Sequence, residues 1–172
     1  DATGQPVTSN MEICKIFADE FAKNFSASSS IDISISPNSN SRFQMSVDFS
    51  DFMAVLQEMP NSACGPDGVP AAVYKRMDNL LAVPLQRIFQ QSLLQGRLPS
   101  DWKLARVTPI YKGKGSKEAA SSYRPISLTC VASKIMERIV ARNLNNYLEL
   151  NNLLDNSQHG ARHGRSTITN LL

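Results

Sequence analysis

Apolar residues near the start of the chain recur at the spacing of an α-helix. This pattern predicts an amphipathic helix over about residues 9–25. Its apolar positions are Ile13, Ile16, Phe17, Phe21 and Phe25. The next stretch, about 26–41, is rich in Ser and Asn, which is typical of a flexible linker or loop. Within it, the alternation of Ile31, Ile33 and Ile35 leaves a short edge strand as an alternative.

Three further helices are predicted from the same spacing. The first spans about 49–59 and is ended by Pro60. The second begins near Pro70, and the third spans about 79–94 and stops at Gly96. Their predicted inward positions are Phe52, Val55, Leu56 and Met59, then Val73, Tyr74 and Met77, then Leu81, Leu85, Ile88, Phe89 and Ser92.

The middle of the chain changes from helical spacing to alternation. Residues 106–112 and 123–129 predict the two strands of a β-hairpin, joined by a polar loop over about 113–122. Trp102 is interpreted as a core anchor at the turn into the first strand, with stacking on a nucleic-acid base as the alternative. A long helix is predicted over about 133–150. Its apolar stripe consists of Ile135, Met136, Ile139, Val140, Leu144, Tyr147 and Leu148. The predicted fold class is therefore α+β, mostly helical, with five or six helices and one β-hairpin.

Charge is unevenly distributed along the 172 residues, although the net charge is only +3. Up to residue 95 there are six Lys/Arg and ten Asp/Glu. From 96 to 142 there are ten Lys/Arg and three Asp/Glu, and from 143 onwards there are two Lys/Arg and two Asp/Glu. A basic middle on an otherwise acidic chain indicates either an anionic partner for that segment or a solvated face with no partner.

Lys112 and Arg124 are the candidate binding residues within this basic segment. They lie near the open end of the predicted strands, about equidistant from the loop, so one face can hold both cations close together. Such a pair would repel unless an anion lay between them, and arginine offers phosphate oxygens a planar fork. The hairpin is thus either a grip for a triphosphate or nucleic-acid backbone, or a solvent-facing edge whose charges oppose aggregation.

Other classes of function find little support in the sequence. Cys14, Cys64 and Cys130 lie far apart without zinc-ligand spacing, which favours reducing surroundings. His159 and His163 are four apart, but Gly160 and Gly164 indicate a loop rather than a metal pair on a helix. No apolar run approaches the roughly 18 residues of a membrane helix, and no signal peptide is recognisable.

Five motifs occur in an order that resembles one family. They are the loop Gly65–Pro70, the stretch Trp102–Gly115, the stretch Tyr123–Leu128, the Lys-x-x-Glu of Lys134–Glu137, and Gln158–Thr167, which we call the arginine segment. In this order the motifs resemble the reverse transcriptase of non-long-terminal-repeat (LINE-type) retrotransposons. The resemblance covers the chain from about residue 49 to residue 172.

The resemblance implies a fold and a set of contacts. The matched region would be the fingers and the start of the palm of a right-hand polymerase, truncated, with the core motifs beginning at about residue 102. Lys112 and Arg124 match the hairpin residues that contact the triphosphate of the incoming nucleotide. The loop Gly65–Pro70 matches a loop near the template entry. The positions that match the template-contacting segment are Gly160, Arg162, Gly164, Arg165, Ser166 and Thr167.

The resemblance also implies partners and a domain organisation. Partners of the complete enzyme would be an RNA template, a DNA primer and deoxynucleotides, with Mg²⁺ as cofactor and no membrane. Residues 1–45 would hold the amphipathic helix and a polar linker leading from an upstream endonuclease, and residues 46–172 would be the N-terminal part of the polymerase domain. The expected location is intracellular, in cytoplasm and nucleus.

Two departures from the family limit this expectation. Ala161 stands where the family usually has a phenylalanine, so a large apolar anchor is missing there. The Ala-Asp-Asp strand turn and the other palm carboxylate that hold magnesium are also absent, so this chain is expected to bind no metal and to be inactive alone. Both ends look cut, and a new helix is expected to begin at Ser166 and Thr167. The alternatives are a stand-alone helical nucleic-acid-binding module, domesticated or a remnant, and a protein-interaction domain.

Overall fold

Six α-helices and one two-stranded antiparallel sheet occur in residues 7–24, 45–160, 162 and 164–171, which are the residues that the computed structural model describes. The helices are α1 (Asn10–Ala22), α2 (Phe49–Glu58), α3 (Ala71–Arg76), α4 (Asp78–Gln95), α5 (Val131–Leu150) and α6 (Thr167–Leu171). The strands are β1 (Arg106–Tyr111) and β2 (Tyr123–Leu128). The predicted α+β class is confirmed. Phe25 and the linker predicted over 26–41 lie outside the described residues.

The chain divides into two compact units. One unit contains α1 and the segment Ala105–Leu128, which forms the hairpin. The other contains α2, α3 and α4, and continues after the hairpin with α5 and α6. The sequence pattern predicted the elements of both units but not that α1 joins the hairpin.

The helical unit is built around a core in which α2 packs against α4 and α5. Phe52 of α2 and Phe89 of α4 are fully buried with ring centroids 6.3 Å apart. Trp102 closes this cluster with an edge-on contact to Phe89 at 5.6 Å, and Ile135 and Ile139 of α5 are fully buried. Burying each of these side chains contributes about 1.5–3 kcal/mol.

Four positions predicted to face inward are instead exposed. Val73, Met77, Ile88 and Leu144 are 36%, 41%, 42% and 42% exposed, respectively. The chain changes helix at Met77, whose φ of −112° lies outside the helical range. In α4 the predicted Leu85 and Phe89 are buried, together with Ala82, which the apolar pattern missed.

Trp102 is a core anchor in the turn that leads into the first strand, as predicted. The turn is a 3₁₀ helix, Ser100–Lys103, which precedes β1. The C-terminal end of α4 agrees with the prediction, because Gly96 takes the left-handed conformation and its amide donates to the carbonyl of Leu93. The new helix expected near Ser166 is also present, as α6.

The hairpin carries a proline on each strand at the same position. Pro109 lies opposite Pro125. The amide of Lys112 donates to the carbonyl of Ser122 at 2.9 Å, so by alternation the proline pair is a non-hydrogen-bonded pair of the ladder. Because residues of such a pair do not bond to each other through their amides, the two prolines remove no hydrogen bond between β1 and β2. The outer edge of each strand lacks an amide donor at its proline, and this opposes pairing of the hairpin with further strands.

Candidate nucleotide and nucleic-acid interface

Lys112 and Arg124 share one face of the hairpin at its loop end. The register pairs Ile110 with Arg124, and the bond from Lys112 to Ser122 continues the ladder by one more pair. Because side chains alternate between faces, the two cations are diagonal neighbours with backbones roughly 7–8 Å apart. The shared face was predicted correctly. The position at the open end was wrong, because that end carries Arg106 opposite Leu128.

The two cationic side chains differ in their surroundings. The Nζ atom of Lys112 donates to the carbonyl of Ser121 at 2.7 Å, so the ammonium is held beside the backbone of the opposite arm. Arg124 is exposed and, within the described part of the chain, makes no ion pair or side-chain hydrogen bond. A free guanidinium beside a positioned ammonium is suited to an anion that bridges them.

Two tyrosine hydroxyls attach the hairpin loop, residues 112–122, to the ends of the strands. Tyr111 donates to the carbonyl of Gly115 at 2.6 Å, and Tyr123 donates to the carbonyl of Lys117 at 2.8 Å. The Lys117 ammonium lies 5.9 Å from the centroid of the Tyr111 ring. Gly115 has a φ of +84°, and a β-carbon there would lie 2.6 Å from the Oγ atom of Ser122. The loop beside Lys112 is therefore held in a defined conformation.

Helix α1 packs on the opposite face of the hairpin at its loop end. Phe17 contacts the ring of Tyr123 edge-on at 5.0 Å and stacks on Phe21 at 5.6 Å. Phe21 is the buried residue of α1. This contact joins residues far apart in sequence, so the local pattern carried no signal for it. The contact supports the loop end of the hairpin from the face opposite Lys112 and Arg124.

Arg162 of the arginine segment is bound to α5. Its Nε and Nη2 atoms donate to the two carboxylate oxygens of Glu149 at 2.8 and 2.7 Å. Its Nη1 atom donates to the carbonyl of Asp155 at 2.8 Å and to that of Gln158 at 3.5 Å. The side chain of Arg162 is only 11% exposed. The sequence indicated Arg162 but not Glu149, because no local pattern marks an ion pair between residues 13 apart.

The remaining predicted residues of the arginine segment form a turn and a helix start. Arg165 donates through Nη1 to the carbonyl of Asn156. Ser166 caps α6, since its Oγ atom accepts from the amide of Thr169 while the Thr169 Oγ1 atom accepts from the amide of Ser166. Gly160, Gly164 and Thr167 are exposed. Ala161 and His163 lie outside the described residues.

The loop Gly65–Pro70 is attached to the chain just before α5. Gly65 is buried against the backbone of Thr129 and Cys130. Asp67 closes an Asx turn, with Oδ1 accepting from the amide of Val69 at 3.3 Å. Burial raises the pKa of Tyr74 and of the Cys130 thiol, and the Asp67 carboxylate adds to both shifts. The Cys130 thiol is thus kept protonated and packs as a small apolar group.

Neither a metal cluster nor a membrane span is found in the described residues. Among them, no three His, Cys, Asp or Glu side chains come close enough to hold a metal ion. No described helix is both long enough and apolar enough to cross a bilayer.

Comparison with known proteins shows what this chain is related to. No family model matches it. It is 31% identical over 119 residues to a probable RNA-directed DNA polymerase from transposon BS of Drosophila melanogaster, and 30% identical over 118 residues to that from transposon X-element of the same organism. The RNA-directed DNA polymerase from mobile element jockey, also of Drosophila melanogaster, is 27% identical over 165 residues.

These matches cover most of this chain but only a small part of each relative. They include 69%, 68% and 89% of this chain, respectively, but the chain spans only 13%, 13% and 18% of the length of the relatives. The chain is a homologue of RNA-directed DNA polymerases. More specifically, its relatives are the reverse transcriptases of non-long-terminal-repeat retrotransposons, as the motif order predicted.

Proposed function

We propose that this chain forms the fingers and the start of the palm of a retrotransposon reverse transcriptase, and that Lys112 and Arg124 hold the triphosphate of the incoming deoxynucleotide. The observation that carries the proposal is their diagonal position on one hairpin face, with the Arg124 guanidinium exposed. In phosphoryl transfer, positioned cations neutralise the charge that develops on the phosphate oxygens. The contact of Phe17 with Tyr123 and the attached loop keep this pair in place.

The arginine segment is the proposed template contact. Gly160, Gly164, Ser166 and Thr167 are exposed, so the template backbone can approach them closely. Arg165 contributes positive charge near the same turn. In this assignment residues 46–172 belong to the polymerase domain, and residues 1–45 lead into it from an upstream endonuclease. The complete protein would act in the cytoplasm and nucleus on an RNA template and a DNA primer.

Magnesium chemistry is assigned to another part of the complete enzyme. In two-metal polymerases, carboxylates bring the ions to the attacking and leaving oxygens. The described residues do not fit this role, since no suitable group of ligands converges among them. We therefore expect the palm of the complete protein to supply the ions, and this chain alone to lack polymerase activity. Robust magnesium-dependent primer extension by the isolated chain would contradict this expectation.

The nucleotide assignment is tested by titrating the chain with a deoxynucleoside triphosphate, followed by NMR. Lys112→Ala and Arg124→Ala should each weaken binding by about tenfold, because each removes one charge-assisted contact. Arg106→Ala is the matched control, since it removes a cation from the same face at the opposite end of the hairpin. Unchanged affinity in both test variants, or an equal loss in the control, would show that the pair has no specific role.

The runner-up function is a stand-alone nucleic-acid-binding module without catalysis. It is favoured by the helical unit having its own buried core, from Val47 to Ile139. The two functions differ in what the reading frame encodes after Leu172. A paired-Asp strand within about one further domain length supports the polymerase, whereas an early stop codon supports the module. Nucleic-acid binding that is absent and indifferent to salt would instead favour a protein-interaction domain.

A further inference from the structure

The ion pair between Glu149 and Arg162 joins the last turn of a long helix to the arginine segment. Glu149 lies one residue before the end of α5, a helix of 20 residues whose first half is buried in the core. The segment that follows α5 has no regular secondary structure among its described residues until α6. Arg162 connects the two by a bidentate contact with N–O distances of 2.8 and 2.7 Å. The rigid helix α5 thus holds the irregular arginine segment through this ion pair.

The guanidinium of Arg162 has few donors left for a ligand. Of the five N–H groups of an arginine, two are directed at Glu149 and two at the carbonyls of Asp155 and Gln158. The side chain is 11% exposed, whereas the Glu149 side chain is 42% exposed. Only one N–H group remains, so a bidentate contact with a template phosphate would require breaking at least one of these bonds. Arg162 is therefore placed to organise the turn that contains it.

Glu149 is also in an unfavourable position without Arg162. A carboxylate in the last turn of a helix lies near the negative end of the helix dipole, and α5 has no basic residue in its last turn. The guanidinium offsets this repulsion. The same guanidinium binds the carbonyl of Gln158 in the segment and that of Asp155 just before it, so the acid and the segment are stabilised together.

We propose that Glu149 is a positioning residue for template binding, which acts by holding Arg162, and that Arg162 itself does not contact the nucleic acid. This inference rests on the proposed function, because it assumes that the arginine segment lies along the template. Its structural part, that Glu149 orders the segment, stands independently of any ligand.

The structural part is tested by amide hydrogen exchange on the full chain without ligand. Glu149→Gln keeps the size of the side chain but removes the ion pair, so exchange across residues 153–166 should accelerate roughly threefold to tenfold. Glu118→Gln is the matched control, because it removes the same charge from the hairpin loop, where the Glu118 carboxylate has no hydrogen bond among the described residues. Unchanged exchange in Glu149→Gln would overturn the proposal even if the chain binds no nucleic acid.

The binding part is tested by the affinity of Glu149→Gln for nucleic acid, which a direct contact by Arg162 and a positioning role of Glu149 would change in opposite directions. The probe is a short fluorescent RNA annealed to a shorter DNA primer. If Arg162 contacted the RNA, Glu149→Gln would free a cation and strengthen binding. If Glu149 positions the segment, the same change weakens binding roughly threefold to tenfold, while Glu118→Gln leaves it equal or slightly tighter. Equal or tighter binding by Glu149→Gln would overturn the positioning role.

The salt dependence of binding provides a second criterion. A direct phosphate contact contributes about one unit to the slope of log affinity against log salt. Arg162→Ala should therefore weaken binding without changing that slope, and Glu149→Gln should have no further effect in the Arg162→Ala background. A slope reduced by about one unit in Arg162→Ala would identify a direct contact and contradict the proposal. If the unaltered chain binds no nucleic acid, the proposed function fails, and hydrogen exchange alone decides the structural part.

Discussion

Gly65 lies so close to Cys130 that a β-carbon on Gly65 would come within 2.5 Å of the Cys130 amide nitrogen. It would also lie 2.5 Å from the carbonyl carbon of Thr129. These neighbours are backbone atoms, which cannot move aside as a flexible side chain could. Gly65 therefore allows the loop Gly65–Pro70 to pack directly against the chain just before α5.

Replacing Gly65 with alanine should destabilise the helical unit. The added methyl group must displace buried backbone, which costs about 1–3 kcal/mol in a well-packed core. Urea unfolding followed by Trp102 fluorescence measures this, because Trp102 packs on Phe89 in the same unit. Gly160→Ala is the control, since a β-carbon there meets no atom within 4 Å. Equal unfolding midpoints for the two variants would refute the close approach.

Local sequence pattern predicted the elements well because their apolar spacing reports directly on local structure. Phe52, Val55 and Leu56 of α2 were predicted inward and are buried. The hairpin strands were predicted to within one residue of β1 and β2. The prediction failed at Val73 and Ile88, which are exposed. Buried positions of α3 and α4 are filled by Ala71 and Ala82 instead, and alanine gives only a weak apolar signal in the sequence.

Local sequence pattern could not predict contacts between residues that are distant in sequence. The packing of Phe17 on Tyr123 and the pairing of Glu149 with Arg162 depend on how elements come together. No spacing rule within one element carries that information. Motif order did identify Arg162, but only as a member of a segment. Its role as the centre of a hydrogen-bond network could be assigned only from the structure.

Phe17→Ala should loosen the hairpin unit. The substitution removes two ring contacts, to Phe21 and Tyr123, and aromatic pairs contribute about 0.5–1.5 kcal/mol beyond area burial. Amide exchange of the β1 and β2 ladder should accelerate accordingly. Met11→Ala is the matched control on the same helix, since Met11 is 83% exposed. Ladder exchange that responds equally to both variants would exclude a specific role of Phe17.

Removing either tyrosine hydroxyl at the base of the hairpin loop should free one part of that loop. Tyr111→Phe loses the bond to the Gly115 carbonyl, and Tyr123→Phe loses the bond to the Lys117 carbonyl. Each bond contributes about 0.5–1.5 kcal/mol. NMR relaxation should therefore report new motion near Gly115 in the first variant and near Lys117 in the second. Identical changes throughout the loop in both variants would argue against separate attachment points.

Acid should loosen the arginine segment, because two carboxylates that hold it have lowered pKa values. The hydrogen bond from Arg162 is the main cause that holds the pKa of Glu149 below its ordinary value of 4.5. Bonds from Ser157 hold the pKa of Asp155 below its ordinary value of 3.8. Because both pKa values are lowered in the folded state, their contribution to stability is complete above the ordinary values. It is lost as pH falls from about 4.5 through the lowered values.

Carbon-detected NMR titration of the carboxylates separates the two contributions. In Arg162→Ala the pKa of Glu149 should return towards 4.5, because its hydrogen-bond donor and the nearest positive charge are gone. The pKa of Asp155 should stay low in this variant, since its main donor is Ser157. Ser157→Ala should produce the converse result, raising the pKa of Asp155 while leaving that of Glu149 low. A Glu149 titration that is the same with and without Arg162 would mean that the ion pair does not form in solution, and the positioning role would fall with it.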